Sequence, residues 1–338
     1  MWFIDIDFFL NLLLVIVFFV IMIRATGMLV NSLCVLVAAS KVEAFGLASL
    51  VLAFSTSLPE LMVGISAGIQ GNPGLSLGNV IGSNIANLSL VVGGAAVISG
   101  VLKATDTFLK KDVFYAFLSG ALPLLLLMDG NLSRIDGVIL IVVYIIYNFT
   151  LLTRQRKIKV KSSLNKVPLW RRILVKVSEP KVEKSLVWLV VGVGLLIFSA
   201  DMIVRLTMAM AQTAKIPVIM VGLFIVAVGT SLPELMMEIA AVKRGEAQMA
   251  FGDVLGSVVV NSTLILGITV LLSPLVLKEG LGSYLIATLA YIAVFFLFWL
   301  FVWTKHKLER WEGLVLFFVY LLFAWFELVG MNGMEIVK

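Results

Sequence analysis

Residues 56–62 read TSLPELM, and residues 230–236 read TSLPELM again. The offset of 174 continues without a gap. Gly71 matches Gly245, Gly78 matches Gly252, Gly82 and Ser83 match Gly256 and Ser257, Asn87 matches Asn261, and Gly93 matches Gly267. A seven-residue identity followed by further matches in register is a duplication rather than coincidence. In each copy a proline precedes a glutamate within an apolar stretch. The repeat therefore carries both a helix breaker and a charge into surroundings that disfavour them.

Those surroundings are a membrane. Of 338 residues, 61% are hydrophobic and 14% charged, more apolar surface than a soluble chain of this length could hide. Near-20-residue stretches with little charge recur throughout, the length that crosses hydrocarbon as a helix. We place ten spans, at about 8–29, 43–68, 75–99, 110–128, 135–153, 186–209, 216–241, 250–273, 281–303 and 311–330, the first continuing as a tilted or broken element towards Ala39. The expected fold is an all-α polytopic membrane protein of ten transmembrane helices, arranged as two inverted-topology five-helix repeats. The first repeat is 1–153, a basic cytoplasmic loop occupies 154–185, and the second repeat is 186–338. Five spans per half is an odd number, so the second copy enters the membrane from the opposite side. That is the plan of secondary transporters with a site at the repeat interface.

With the N-terminus outside, 21 of the 26 Lys and Arg fall on cytoplasmic connections. This asymmetry sets the orientation, with both termini outward. The same distribution speaks against nucleic acid as the reason for the net charge of +6. The basic stretch 154–184 reads as a topology-setting loop joining two halves, with binding of anionic lipid headgroups or a regulatory partner as the alternative. The acidic N-terminus (MWFIDIDFF) lacks the basic region of a cleavable signal and reads as a retained first helix. The lone cysteine, Cys34, reads as a small buried apolar side chain and cannot form an internal disulfide.

Pro59 and Pro233 supply no N–H, so carbonyls near Ser55 and Thr56, and near Gly229 and Thr230, lose helical partners. In hydrocarbon such carbonyls must line a cavity or coordinate something. Glu60 and Glu234 follow immediately, and a mid-membrane carboxylate costs about 3 kcal/mol or more unless it serves an ion or proton pathway. Thr56, Ser57, Thr230 and Ser231 add hydroxyls one turn earlier. The set is all oxygen, with no histidine or thiol, which favours Ca2+, Na+ or protons over zinc or copper. A competing reading is that Ser57-x-x-Glu60 and Ser231-x-x-Glu234 are capping boxes at new helix starts. Glutamine would cap equally well without the charge, so capping explains only part of the pattern.

The second element of each copy, 78–87 and 252–261, has glycines at small-xxx-small spacing that permit close helix packing. Ser83 with Asn87, and Ser257 with Asn261, are four apart and share a helical face. They are candidates to complete an ion shell, or alternatively interhelical hydrogen-bond partners. Glu238 lies one turn beyond Glu234 but its counterpart is Gly64, so this carboxylate is not duplicated. It reads as a water-facing residue near a helix end, a vestibule residue or a proton relay. Asp253 is expected near the cytoplasmic mouth, and Asp201 with Arg205 form an (i, i+4) ion pair.

Paired TSLPEL segments, each followed by a G-x-x-x-G-S run, resemble the α-repeats of the cation/Ca2+ exchanger superfamily, nearest its prokaryotic sodium/calcium exchanger branch. The resemblance covers both halves. It implies a secondary antiporter that exchanges Ca2+ for Na+, without cofactor or obligatory protein partner, in a prokaryotic plasma membrane. It implies Glu60 and Glu234 as shared ion ligands, with Thr56, Ser57, Thr230, Ser231, Ser83 and Ser257, the carbonyls of Ala53 and Ala227, and Asn87 around them. Alternating access would come from the first and sixth helices sliding past the core. Asn261 stands where sodium/calcium exchangers usually carry Asp, the G-S-N run becomes Gly256-Ser257-Val258, and G-T-S becomes Ser55-Thr56-Ser57. These departures bear on the coupling ion, and H+-coupled Ca2+ or cation antiport is the alternative. An intramembrane enzyme lacks its motifs, since Ala250-Phe251 breaks the glycine pattern before Asp253. A channel fits poorly with broken inverted helices.

Overall fold

The computed structural model describes residues 6–39, 56–103, 106–158, 180–243, 247–277, 282–305 and 307–335. These residues are almost wholly helical: α1 (Ile6–Ala39), α2 (Leu58–Ile69), α3 (Pro73–Ser99), α4 (Asp106–Leu126), α5 (Arg134–Ile158), α6 (Pro180–Ala214), α7 (218–230), α8 (Leu232–Lys243), α9 (247–272), α10 (Gly282–Lys305) and α11 (Arg310–Glu335). Four short strands sit between them, β1 (Val101–Lys103), β2 (Asn131–Leu132), β3 (Leu275–Val276) and β4 (Lys307–Glu309).

Among the described residues, eight helices are long and apolar enough to cross a membrane. Of the other two expected spans, 43–68 is described only from residue 56 onward, where α2 is an apolar helix of 12 residues. The span 311–330 lies within α11, whose 26 residues include Glu312 and Glu327. The first helix does continue to Ala39, unbroken. Most of the basic loop, together with Ala53, lies outside the described residues.

The helices sort into a buried centre and a greasy periphery. In α3 and α9, 78% of the apolar window is buried, against 17% in α1 and 11% in α5. Large apolar side chains on α1, α5, α6, α10 and α11 stand exposed, among them Ile6, Phe149, Val190, Phe296 and Trp325. Such a surface suits lipid rather than water. One apolar cluster joins α1 and α6 to faces of α2 and α7 through Met22, Leu29, Ile203, Val63 and Val226. A larger one binds α3, α4, α9, α10 and α11 around Ile85, Val258, Tyr291 and Phe298.

The glycines read as packing residues do pack. A Cβ on Gly78 would collide with the Ile219 carbonyl, and one on Gly82 with the Leu223 carbonyl. A Cβ on Gly222 would strike the Leu75 carbonyl, so α3 and α7 cross backbone against backbone. At the far end of α3, Gly93 meets Gly313 of α11. Gly267 of α9, the partner of Gly93 at the 174-residue offset, meets Gly137 of α5. The strands behave likewise, because β1 pairs with β4 and β2 pairs with β3, each from one half to the other.

Each duplicated helix also carries a π turn. In α3 it spans Asn87–Val91 and in α9 Val260–Ile265, with the amides of Val92 and Leu266 bonded to the carbonyls of Asn87 and Asn261. A third, Val221–Val226, lies in α7 before the motif. Such turns widen a helix locally and reorient the side chains around them, and they concentrate at functional sites.

Candidate functional site

In the second copy the proline marks a division between two helices rather than a kink, and in the first it lies at a helix start. Pro59 occupies the second position of α2, and Ser57 is the residue before its first turn. In the second copy α7 ends at Thr230, Ser231 forms a turn, and α8 begins at Leu232. Proline is tolerated at helix starts because the N–H it lacks would have had no partner there. The two glutamates thus lie in the first turns of α2 and α8, where free amides favour negative charge or an anion's ligand atoms.

The capping box does not form. Ser57 makes no side-chain cap to its own helix. Its hydroxyl instead donates to the Ser257 hydroxyl at 3.1 Å, across to α9. The Ser231 hydroxyl has no partner. Ser57 is therefore directed towards the other half, and the Ser231 hydroxyl bonds neither its own backbone nor a neighbouring side chain.

Nearly all of the named side chains within the described residues are shut away from solvent. Thr56, Glu60, Ser83, Asn87, Thr230, Glu234, Ser257 and Asn261 have no exposed surface, and Ser57 and Ser231 almost none. The Thr56 hydroxyl donates to Asp253 Oδ1 at 3.1 Å. The equivalent hydroxyl, Thr230, donates to Asn79 Oδ1 at 3.2 Å. Ser83 meets Thr230 and Asn79, each at 3.4 Å. Asn261 Nδ2 donates to Asn84 Oδ1 at 3.3 Å, and Asn84 Nδ2 to the Ser262 hydroxyl at 2.7 Å. The Ala227 carbonyl accepts the Ser231 amide at 3.0 Å and the Thr230 hydroxyl at 3.3 Å.

Against this web of satisfied groups the carboxyls stand out. Both oxygens of Glu60 and both of Glu234 are buried without a hydrogen-bond partner, as are Asn87 Oδ1 and Nδ2 and Asn261 Oδ1. Unpartnered buried polar atoms are rare in folded proteins and call for an explanation. Glu234 feels the charge of Glu60, of Asp253 and of Glu238. Among the described residues no three His, Cys, Asp or Glu side chains converge tightly enough to hold one ion by themselves. Any cation here would take two carboxylates at most, completed by hydroxyls, amide oxygens and backbone carbonyls. That is the donor set suited to a hard ion.

One expectation changes. Glu238 is not a water-facing residue at a helix end, being 1% exposed with both oxygens unpartnered. Asp253 is partly buried and accepts the hydroxyl of Thr56 of the motif. Asp201 and Arg205 do pair, at 2.8 Å on an exposed face. Asp201 also accepts from Gln70 Nε2 at 2.7 Å, linking α6 to the end of α2. Reading Ser83–Asn87 and Ser257–Asn261 as pairs missed their third members, Asn79 and Asp253. The same four-residue spacing, taken one turn earlier, would have found both.

Comparison with known proteins places the chain in a family. The profile of the family described as "Sodium/calcium exchanger protein" matches residues 10–153 and 184–329. The sodium/calcium exchanger MaX1 of Methanosarcina acetivorans is 29% identical over 349 residues, spanning 93% of this chain and 97% of MaX1. The solved sodium-calcium exchanger NCX_Mj is 26% identical with a TM-score of 0.61, over 93% of this chain and 97% of that one. A solved H+/Ca2+ exchanger, CAX, superposes with a TM-score of 0.70 at 17% identity, covering 96% of this chain and 87% of its own, a likeness of fold. The chain belongs to the sodium/calcium exchanger protein family and is a membrane-embedded ion transporter, not an enzyme.

Proposed function

We propose that this protein is a Ca2+ antiporter that exchanges Ca2+ for Na+ by alternating access at a site centred on Glu60 and Glu234. The observation that carries this reading is the pair of duplicated, solvent-free glutamates, all four of whose carboxyl oxygens lack a hydrogen-bond partner. Two such groups cannot persist ionised in a dry interior without compensating charge. A transported cation supplies that charge, and its departure must be matched by another cation or by protons. Obligatory exchange follows from the electrostatics of the site.

Around the glutamates, Thr56, Ser57, Ser83, Asn87, Thr230, Ser231, Ser257 and Asn261 provide neutral oxygens, together with the carbonyls of Ala53 and Ala227. On this reading the ten helices form two inverted repeats, 1–153 and 186–338, joined by the cytoplasmic loop 154–185, with both termini outside. The crossings Gly93–Gly313 and Gly267–Gly137 and the exchanged strand pairs support that symmetry. The names of MaX1 and NCX_Mj support Na+ as the counter-ion.

Asn261 favours a second reading, H+ coupling, because one carboxylate usual in sodium/calcium exchangers is an amide here. Ca2+ uptake into proteoliposomes separates the two, comparing an outward Na+ gradient with an outward proton gradient at matched membrane potential. Uptake driven by Na+ alone is the expected result. Uptake driven by protons alone would replace Na+ by H+ as the coupling ion.

A further inference from the structure

The duplication is least faithful around Glu238, and the departures there compensate one another. In the first half the equivalent position is Gly64. A Cβ there would press on Ile265, the Thr269 hydroxyl and the Ser76 hydroxyl. Ser76 and Thr269 bond each other at 2.9 Å, and Thr269 donates to the Gly64 carbonyl at 3.1 Å. The first half is therefore plugged by two hydroxyls packed on a glycine. At the 174-residue offset Ser76 corresponds to Ala250 and Thr269 to Ala95, both buried. The positions equivalent to this glycine and its two hydroxyls are a carboxylate and two alanines.

The carboxylate of Glu238 consequently gains no donors: both its oxygens are buried and unpartnered at 1% exposure. It lies one turn from Glu234 on the same face of α8. It feels the charge of Asp253 on the neighbouring α9. Asp253 is the second unduplicated acid, standing opposite Asn79 of the first half. Its Oδ1 accepts the Thr56 hydroxyl at 3.1 Å, and its Oδ2 is buried and unpartnered. Among the described residues these three carboxyl oxygens have no hydrogen-bond partner, and they stay ionised together only with a cation between them.

We propose that Glu238 and Asp253, with the Thr56 hydroxyl, hold a second hard cation beside the two-glutamate centre, on the second-half side only. The donors are all oxygen, which selects Na+ or Ca2+ over a soft metal. The proposal rests on the cation-binding reading of Glu60 and Glu234. It goes beyond it by assigning an additional bound ion to residues that the duplicated motif does not include.

The test is equilibrium binding of radioactive Na+ and, separately, radioactive Ca2+ to the purified full-length chain in lipid nanodiscs. Wild type, Glu238→Gln/Asp253→Asn and Glu60→Gln/Glu234→Gln are compared, each checked for monodispersity. The amide variants keep size and shape, and removing buried repulsion favours their folding. The expected result is loss of one equivalent of bound cation in Glu238→Gln/Asp253→Asn, in whichever isotope arm identifies the ion. That same equivalent survives in Glu60→Gln/Glu234→Gln, which loses the centre. An unchanged equivalent count and affinity in Glu238→Gln/Asp253→Asn would overturn the proposal. So would disappearance of every bound ion from Glu60→Gln/Glu234→Gln, since the four carboxyls would then share a single ion. Full binding in Glu60→Gln/Glu234→Gln would instead contradict the two-glutamate centre itself.

Discussion

The two halves of the molecule make the same hydrogen bond with different chemistry. Thr56 donates to Asp253 at 3.1 Å and Thr230 donates to Asn79 at 3.2 Å. Position for position these are equivalent contacts, yet one acceptor is a carboxyl and the other an amide. The same contrast recurs one helix away, where Gly64 under its hydroxyl plug stands opposite the buried acid Glu238. Backbone geometry has thus survived duplication while charge has not. Close-packed glycine crossings leave little freedom to drift, whereas an amide and a carboxyl are nearly the same shape. A duplicated sequence can keep its packing similar in both copies and still place extra acidic side chains in one of them.

That comparison can be broken by forcing the halves to match. Gly64→Glu would give the first half the acid of the second, but into space held by Ile265, Thr269 and Ser76. Overpacking together with an unpaired buried charge should cost at least about 3 kcal/mol, read as loss of monodisperse protein or a steep fall in Tm. Gly78→Ala tests the geometric half of the claim, because its Cβ meets the Ile219 carbonyl, which is backbone and cannot swing aside. A loss of about 1–3 kcal/mol is expected, with tighter coupling between stability and transport than at any lipid-facing site.

Charge can be equalised more gently. Asp253→Asn keeps the Thr56 hydrogen bond and makes the second half resemble the first. Stability should hold, while the cation concentration giving half-maximal transport should rise about tenfold, measured as Ca2+ flux into proteoliposomes. The smallest effect is expected at Arg205→Ala, because its 2.8 Å bridge to Asp201 is exposed. Such pairs contribute about 0–1 kcal/mol, so Tm should barely move. A large change would mean that Asp201, which also holds Gln70 of α2 at 2.7 Å, matters to how α6 sits on the centre.

Much of this was legible in the sequence because membrane proteins announce themselves through hydropathy and duplication. The proline breaks, the packing role of Gly78 and Gly82, and the burial of Glu60 and Glu234 all follow from the motif and from the cost of charge in hydrocarbon. The capping reading of Ser57 failed for a tertiary reason. A serine that can reach Ser257 on another helix need not bond its own backbone. Glu238 was misjudged because distance from a helix end says nothing about what packs over it. At the 174-residue offset Ala95 and Ala250 correspond to Thr269 and Ser76, the two hydroxyls packed at Gly64, and that packing is visible only once the helices are placed side by side. The π turns at Asn87 and Asn261 leave no sequence signature beyond the asparagines themselves.

The most direct test of the central claim is Ca2+ uptake by proteoliposomes of Glu60→Gln and Glu234→Gln, each against wild type, under the gradient that drives the native protein. Removing one charge from a two-carboxylate centre should reduce uptake by about 100-fold or more, in line with the roughly 3 kcal/mol that a buried charge commands. Both variants should remain folded, because glutamine preserves shape. Uptake at the wild-type rate in either variant would contradict the account and move ion binding away from the duplicated glutamates.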